Sequence, residues 1–198
     1  MSKQIIVAIS REYGSGGHYI ADKLSESLGI QLLDRNILDK LGEKMGLDMS
    51  VHEQYDEVKK NPFMSRVVRG MSNSPEENLA EMQFDYILEK ADKGESMIVV
   101  GRCADHILKG NPSLITIFIT GDKDAKRKRV MKVRNMNERE AARAMLRHDR
   151  KRRAYHNNYA ETKWGDSRHY DICINSSKLG LDATVELLRD YLVRRMEM

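Results

Sequence analysis

The sequence predicts an α/β fold in which a central parallel sheet is covered by helices on both faces. Two observations support this fold class. Short apolar runs, typical of strands buried on both faces, alternate along the chain with segments of helical periodicity. The first of these runs, residues 5–9, leads through a glycine-rich loop directly into a helical pattern. Because ligands of such sheets bind beyond the carboxyl ends of the strands, we expect the site at the loops that follow the strands.

The first strand, loop and helix together predict a phosphate-binding loop. Residues 5–9 are four branched apolar residues and an alanine, and three glycines follow within residues 14–17. Apolar residues at positions 20, 24 and 28 then form one stripe of a helix that stops at Gly29. This layout directs backbone N–H groups and a helix N-terminus at an anion. The simplest alternative is a glycine-rich surface turn that binds no ligand.

The loop departs from both common nucleotide-binding fingerprints. The Walker A pattern G-x-x-x-x-G-K-[ST] requires lysine at Gly17 and a hydroxyl at His18, and its first glycine falls on Arg11. A dinucleotide fingerprint that starts at the first loop glycine puts Tyr19 where a small residue is required. Asp34 lies at the distance of a ribose-binding acid, so an NAD-type dinucleotide-binding protein stays open as a less favoured alternative.

The remaining strands and helices follow in alternation. Apolar runs predict four further strands, at residues 31–34, 97–101, 114–119 and 170–175. Helical spacing predicts helices at residues 35–45, about 75–93 and 137–150, a basic helix after Asp122, and a final helix from about Asp182. Two of these helices begin with strong end signals, Ser74 before Pro75 and Asn137 three residues before Glu140. Residues 47–71 show only a weak pattern.

Length and composition limit the class of protein. The 198 residues suit a single domain without linker or repeat, and 40% hydrophobic and 32% charged residues are typical of a soluble globular chain. No apolar run approaches the roughly 20 residues of a membrane span. The N-terminus enters a strand at once, so we expect a cytoplasmic protein without a signal peptide. Cys103 and Cys173 both lie near apolar segments and are expected to be buried thiols.

The basic residues are concentrated in one segment. Residues 123–153 contain fourteen Lys or Arg and four Asp or Glu, although the net formal charge is only +4. Such a segment faces solvent or anions, and nucleotide phosphates, nucleic acid and a solvated helix face all stay open. Aromatic residues are absent from it, which disfavours binding of single strands. The six histidines show no metal-ligand spacing, and we place His156 in a polar loop, so no protein-bound metal site is expected.

Five short motifs resemble the cytidylate kinase-like family, relatives of the nucleoside monophosphate kinases. They lie at residues 10–17, 33–35, 100–105, 149–152 and 170–177. The resemblance covers nearly the whole chain and implies a P-loop kinase-like three-layer fold with a five-stranded parallel core. It also implies a single domain, residues 1–198, with a monophosphate-binding helical region at about residues 47–93. A basic lid at about residues 123–168, called the lid segment below, completes the implied organisation.

The predicted site residues fall into three groups. Phosphate or nucleotide binding is assigned to the loop residues Arg11, Tyr13, Gly14, Ser15, Gly16, Gly17 and His18. Because the lysine is missing at Gly17, its charge could come from Arg11, Arg129, Arg152 or Arg153. We favour the lid segment and assign catalytic charge to its arginines Arg129, Arg152 and Arg153. Acceptor binding, partly implied by the resemblance, is assigned to Asp34, Arg35, Arg102, Asp105 and Asp149. An alternative role for Asp34 is to cap the next helix.

The sequence therefore predicts ATP-dependent phosphoryl transfer to a nucleoside monophosphate or a similar small phosphorylated or nucleoside acceptor. Mg²⁺ is expected with ATP, held by the phosphates, water and Asp34. The main alternative is a catalytically impaired nucleotide-binding regulator on the same fold, favoured by the missing lysine. A nucleic-acid binder is disfavoured and no membrane partner is expected. The oligomeric state is left open, with a homodimer among the options.

Overall fold

The computed structural model of the chain describes residues 4–34, 67–68, 71–72 and 75–197. The strands are β1 (Ile6–Arg11), β2 (Gln31–Leu33), β3 (Val67–Val68), β4 (Met71–Ser72), β5 (Met97–Val100), β6 (Leu114–Thr120) and β7 (Ile172–Asn175). The helices are α1 (Gly17–Leu28), α2 (Pro75–Asp92), α3 (Ala104–Ile107), α4 (Lys123–Arg134), α5 (Glu138–Tyr159), α6 (Ser176–Leu179) and α7 (Leu181–Glu197), with a 3-10 turn at Ser167–His169. The helix predicted at residues 35–45 and most of the weak region at 47–71 lie outside the described residues.

The predicted parallel sheet is confirmed. Five strands lie in the order β2-β5-β1-β6-β7, and every neighbouring pair is parallel. The strand β1 is central, with Ile6 opposite Met97 on one side and Leu114 on the other. The carboxyl ends of β1, β2, β5 and β6 therefore meet at one edge of the sheet, where the phosphate-binding loop was predicted.

Alternate residues of β1 are buried in two separate hydrophobic clusters, one on each face of the sheet. Val7 and Ile9 pack with α1 and α7, where Leu24 and Leu188 are completely buried. Ile6 and Ala8 belong to the second cluster, which includes residues of α2 such as Ile87. Because side chains alternate between the faces of a strand, an unbroken apolar run is required when helices cover both faces.

The basic helices α4 and α5 pack against each other through a small apolar cluster that contains Val130, Ala141 and Met145. The predicted capping box at the start of α5 is confirmed. The Glu140 amide donates to Asn137 Oδ1 at 3.0 Å, and the Asn137 amide donates to Glu140 Oε2 at 2.9 Å. This box fixes the turn that reverses the chain between the two basic helices.

Two details of the sequence analysis are wrong. Cys103 is buried as expected, but Cys173 is exposed, because it lies on the edge strand β7. His156 lies in α5 and not in a polar loop, and only 3% of its surface is exposed. Within the described ranges, no helix is both long and apolar enough to cross a bilayer.

Candidate phosphate-binding site

A cavity of about 450 Å³ opens where β1 ends and the glycine loop begins. Its wall includes the loop, the first residues of α1, Asp34 after β2, and Val100 at the end of β5. Among the residues that the structure describes, four arginines line it as well, Arg11 from the strand end and Arg129, Arg134 and Arg152 from the lid segment. Backbone amides, a helix N-terminus and guanidinium groups are the groups that bind phosphate in proteins, so this cavity suits a polyphosphate.

Two glycines give the loop its shape. Gly14 and Gly16 have φ angles of +85° and +81°, which favour glycine. A β-carbon on Gly14 would lie 2.9 Å from both the backbone oxygen of Lys126 and Cγ2 of Val130, so any side chain there would push α4 away from the loop. The loop is thus packed closely beneath the lid segment.

Hydrogen bonds from distant elements hold the loop in place. The hydroxyl of Ser176, in α6, donates to the backbone oxygen of Ser15 at 2.6 Å. Ser15 is itself buried, and its own hydroxyl donates to the backbone oxygen of Glu12 at 2.8 Å. The structure therefore places the Ser15 hydroxyl inside the loop, where it stabilises the turn, while phosphate binding by this residue stays a prediction.

Glu12 connects the loop to β6 and α4, a role that the sequence analysis missed. Its carboxylate accepts hydrogen bonds from Lys126 Nζ at 2.7 Å, from the Thr120 hydroxyl and from the Gly121 amide. Burial opposes ionisation of Glu12, but the hydrogen bonds from Lys126 and Thr120 outweigh it and lower the pKa of this carboxyl. The side chain of Lys126 is only 9% exposed, so the ammonium group depends on Glu12 for its compensation.

The helix α5 contacts the loop directly. Asp149 Oδ1 accepts a hydrogen bond from the Tyr13 amide at 2.6 Å, and Arg152 Nη1 donates to the backbone oxygen of Arg11 at 3.1 Å. Burial raises the pKa of Asp149, with the Tyr13 amide acting in the opposite direction. A carboxylate therefore occupies one amide of the predicted phosphate-binding loop. Acceptor binding by Asp149, predicted from the sequence, has no contact here that tests it.

His148 stacks on the ring of Tyr13, with ring centroids 4.2 Å apart and planes inclined by 8°. Burial, together with repulsion from Arg152 and Arg147, lowers the pKa of His148 to about 4. The imidazole is therefore neutral at pH 7 and packs as an aromatic ring. This contact adds to the hydrogen bonds by which α5 holds the loop.

We expect His148 to make the fold sensitive to mild acid. Its pKa is depressed in the folded state, so the unfolded chain binds the proton first as the pH falls from 6.5 towards 4, and stability falls with it. Replacement of His148 by Phe keeps the stack and removes the proton site. Urea unfolding should therefore show that the free energy of unfolding falls less between pH 7 and pH 4.5 for His148→Phe than for the parent chain. His169→Phe, at an exposed histidine, is the matched control and should leave the loss unchanged.

The three predicted catalytic arginines lie in different surroundings. Arg129 lines the cavity, with its guanidinium 5.8 Å from the ring centre of Tyr19. Arg152 lines the cavity from α5. Arg153, the next residue, lies 5.5 Å over the ring of Trp164 and is not among the described residues that line the cavity. Arg134 was not predicted, although it belongs to the same basic segment.

Two of the acceptor-binding predictions concern the edge of the cavity. Asp34 lines the cavity beside the loop, with its Oδ2 3.8 Å from His18 Nε2. Its side chain is 11% exposed, whereas that of His18 is 60% exposed. Arg35, predicted beside it, lies outside the described residues. In the part of the chain that the structure describes, no group of three or more His, Cys, Asp or Glu side chains is placed to hold a metal ion.

Arg102 lies in the turn after β5, and Asp105 lies in the short helix α3 that follows it. Gly101, Arg102 and Cys103 have successive φ angles of +80°, +56° and +51°, a conformation that costs energy at the two residues with side chains. Arg102 is buried, 6.0 Å from the ring centre of Tyr155 in α5. Asp105 Oδ2 contacts His156 Nε2 at 2.8 Å, and both side chains are buried. These contacts of α5 with Arg102 and with α3, which add to its contacts with the glycine loop, were not predicted. Acceptor binding by Arg102 and Asp105 stays a prediction.

Comparison with known proteins gives a family and a fold. A profile of the cytidylate kinase-like family matches residues 6–178. Among solved structures, an uncharacterized protein from Eubacterium ventriosum is 38% identical, with a TM-score of 0.77 over 96% of this chain and 98% of that one. Among curated proteins, none matches this chain significantly.

Two more distant structures show the fold alone. A shikimate kinase from Bacteroides thetaiotaomicron is 13% identical, with a TM-score of 0.55 over 95% of this chain and 98% of that one. A gluconokinase from Sinorhizobium meliloti is also 13% identical, with a TM-score of 0.56 over 99% of this chain and 95% of that one. Both are P-loop kinases, which confirms the P-loop kinase-like fold that the sequence predicted.

Proposed function

Because this chain belongs to the cytidylate kinase-like family, we propose that it transfers the γ-phosphoryl group of ATP to a nucleoside monophosphate or a similar small acceptor. The family and the fold support a nucleotide kinase-like function in general. The observation that carries the more specific proposal is the cavity itself, which is lined by residues of the loop and of the start of α1 and, among the described residues, by four arginines. Phosphoryl transfer requires mainly positioning and positive charge, and these groups supply both.

Each part of the cavity would act on a different part of the nucleotide. The amides of the first turn of α1, together with loop amides other than the Tyr13 amide that Asp149 occupies, would hold the β-phosphate, since these donors need no side chain. Arg129 and Arg152 approach from the lid segment and would stabilise charge on the transferred group. The acceptor would enter beside Asp34, from the side of the cavity that β2 and β5 form.

Mg²⁺ fits the residues of the cavity as part of the donor substrate. Magnesium usually keeps several waters and binds one or two carboxylates together with phosphate oxygens. Asp34 offers such a carboxylate within the cavity, whereas His18 replaces the hydroxyl that common loops provide. Asp34 would therefore hold the ion, and the ion would supply charge neutralisation to the phosphates.

A catalytically impaired regulator on the same fold is the second candidate. The observation in its favour is Gly17, which stands where the common loop carries its lysine. Such a protein would bind ATP through the same cavity without transferring phosphate. We further propose that the chain works in the cytoplasm, where ATP and a nucleoside monophosphate would both be available.

We expect MgATP to stabilise the chain against thermal unfolding. A ligand that binds only the folded state adds about 2.7 kcal/mol at a concentration one hundred times its Kd. Gly14→Ala should abolish this stabilisation, because the added carbon would displace α4 from the loop. Gly29→Ala is the matched control: Gly29 also has a positive φ, +65°, but a β-carbon there would have no atom within 4 Å among the described residues.

Thermal unfolding with a panel of nucleotides, each tested alone and together with MgATP, separates the candidates. A monophosphate that strengthens the stabilisation by ATP names the acceptor for a transfer assay, and phosphoryl transfer would confirm the kinase. Stabilisation by ATP with no transfer to any acceptor would support the regulator. Indifference to every nucleotide would refute both, and binding to an oligonucleotide with steep salt dependence would favour a nucleic-acid binder instead.

A further inference from the structure

We propose that Arg11 supplies the charge that a lysine supplies in the common phosphate-binding loop, and that Gly17 is glycine because the side chain of Arg11 occupies the lysine's place. The inference rests on the proposed binding of ATP in the cavity. The inference goes beyond the proposed function because it assigns the missing charge to one residue, which lies at the end of β1 and not in the lid segment.

The side chain of Arg11 packs against Gly17. A β-carbon on Gly17 would lie 2.6 Å from Cβ and 2.8 Å from Cγ of Arg11. These distances are far below van der Waals contact, and the opposing atoms lie at the base of the arginine side chain, where it has least freedom to move. Gly17 itself begins α1 with an ordinary backbone conformation, so it does not need to be glycine for its φ angle. Position 17 is therefore glycine because the aliphatic part of the Arg11 side chain, called its stem below, occupies the space that a side chain would need.

The guanidinium group of Arg11 reaches Gly101, directly after β5. Arg11 Nη1 lies 2.5 Å from the position that a β-carbon of Gly101 would take. Gly101 follows β5, the neighbour of β1 in the sheet, and the residue before it, Val100, lines the cavity. The side chain of Arg11 thus crosses the start of α1 and reaches the end of β5, with a glycine making room at each end.

The sequence positions of Arg11 and Gly17 correspond to two defined positions of the Walker A pattern. In the Walker A pattern the first position is glycine and the seventh is lysine. Here the first position is Arg11 and the seventh is Gly17, so a small and a long basic residue have exchanged places. Side chains at both positions would overlap. Apart from the Arg11 atoms, the nearest atom to a β-carbon on Gly17 would be Ser15 Oγ at 3.7 Å, an ordinary contact. An arginine is charged at all physiological pH values and binds phosphate through two N–H groups.

The test is a set of exchanges at these two positions, measured as the Kd for MgATP. Arg11→Met fills the space of the stem without the charge, and we expect the Kd to rise about 30-fold, the loss typical of one hydrogen bond to a charged group. Gly17→Lys alone should also weaken binding, because the lysine stem would overlap that of Arg11. Combining it with Arg11→Gly should restore the Kd to near that of the parent chain.

A matched double variant separates charge from packing. Arg11→Gly combined with Gly17→Met has the same bulk as the lysine exchange but no charge, and we expect its Kd to stay high. Thermal unfolding without ligand shows whether each variant folds; should Arg11→Met fail to fold, the two double variants decide in its place. If the methionine exchange binds MgATP as tightly as the lysine exchange, or if Arg11→Met binds like the parent chain, the inference is overturned. If the parent chain does not bind MgATP, the proposed function has failed.

Discussion

Replacement of Arg152 by alanine is expected to lower kcat about 1000-fold, because an arginine that stabilises charge on the transferred phosphoryl group is worth a factor of that order. Arg152 lines the cavity, donates to the backbone of Arg11 and lies 5.5 Å from the ring centre of Tyr13. An interaction made mainly in the transition state affects kcat more than KM. The measurement is steady-state phosphoryl transfer with the acceptor that most strengthens the stabilisation by ATP.

Arg153→Ala is the matched control for this result. The two arginines are adjacent in α5, but Arg153 lies over Trp164 and does not line the cavity. Its removal should change kcat less than about threefold, as for a charge outside the site. Equal losses in the two variants, or full activity of Arg152→Ala, would show that Arg152 has no role in transfer. The kcat of Arg152→Lys, which keeps the charge and loses the two-pronged geometry, should lie between those of the parent chain and the alanine variant.

Loss of Glu12 is expected to lower the free energy of unfolding by about 3 kcal/mol, because it leaves the charge of the buried Lys126 uncompensated, although Glu12 itself is only half-buried. Glu12→Ala would strip Lys126 of its carboxylate, and Thr120 and Gly121 would lose their acceptor as well. Chemical unfolding with urea measures the change. Lys126→Met added to Glu12→Ala should recover part of the loss, since it removes the buried charge that the first change leaves behind.

An exposed ion pair provides the comparison for Glu12. Lys23 and Glu26 lie at the same distance as Lys126 and Glu12, 2.7 Å, but their side chains are 42% and 61% exposed. Glu26→Ala should therefore leave the unfolding midpoint almost unchanged, because water screens this pair. If Glu26→Ala and Glu12→Ala destabilise the chain equally, burial does not decide the strength of the pair.

The contribution of Glu12 has a defined pH dependence. Because its pKa is lowered in the folded state, the stabilisation is complete above the ordinary carboxyl pKa of 4.5 and is lost as the pH falls through the lowered value. The difference in stability between the parent chain and Glu12→Ala should therefore narrow below pH 4.5. The effect of His148 extends from pH 6.5 to about 4, so its part above pH 4.5 can be measured apart from the effect of Glu12.

Local patterns were enough to predict the parallel sheet and the position of its ligand edge. The apolar run before Gly14 predicts a strand covered on both faces, and β1 is indeed the central strand. Asn137 and Glu140 predict a helix start because both partners of the capping box lie within one turn. Such signals act between residues that are close in sequence, so the sequence contains all that is needed to interpret them.

The sequence by itself thus determined the fold class, the glycine loop and the basic segment that faces it. Only the tertiary structure decided which side chains meet there. Glu12 and Lys126 are 114 residues apart, and Tyr13 and Asp149 are 136 apart, so no periodicity connects them. The steric conflict between the Arg11 side chain and any side chain at position 17 could not be predicted from the sequence either, because it depends on the angle at which α1 leaves the loop. Packing between elements sets these contacts, because a residue's own segment fixes the direction of its side chain but not the partner that it reaches.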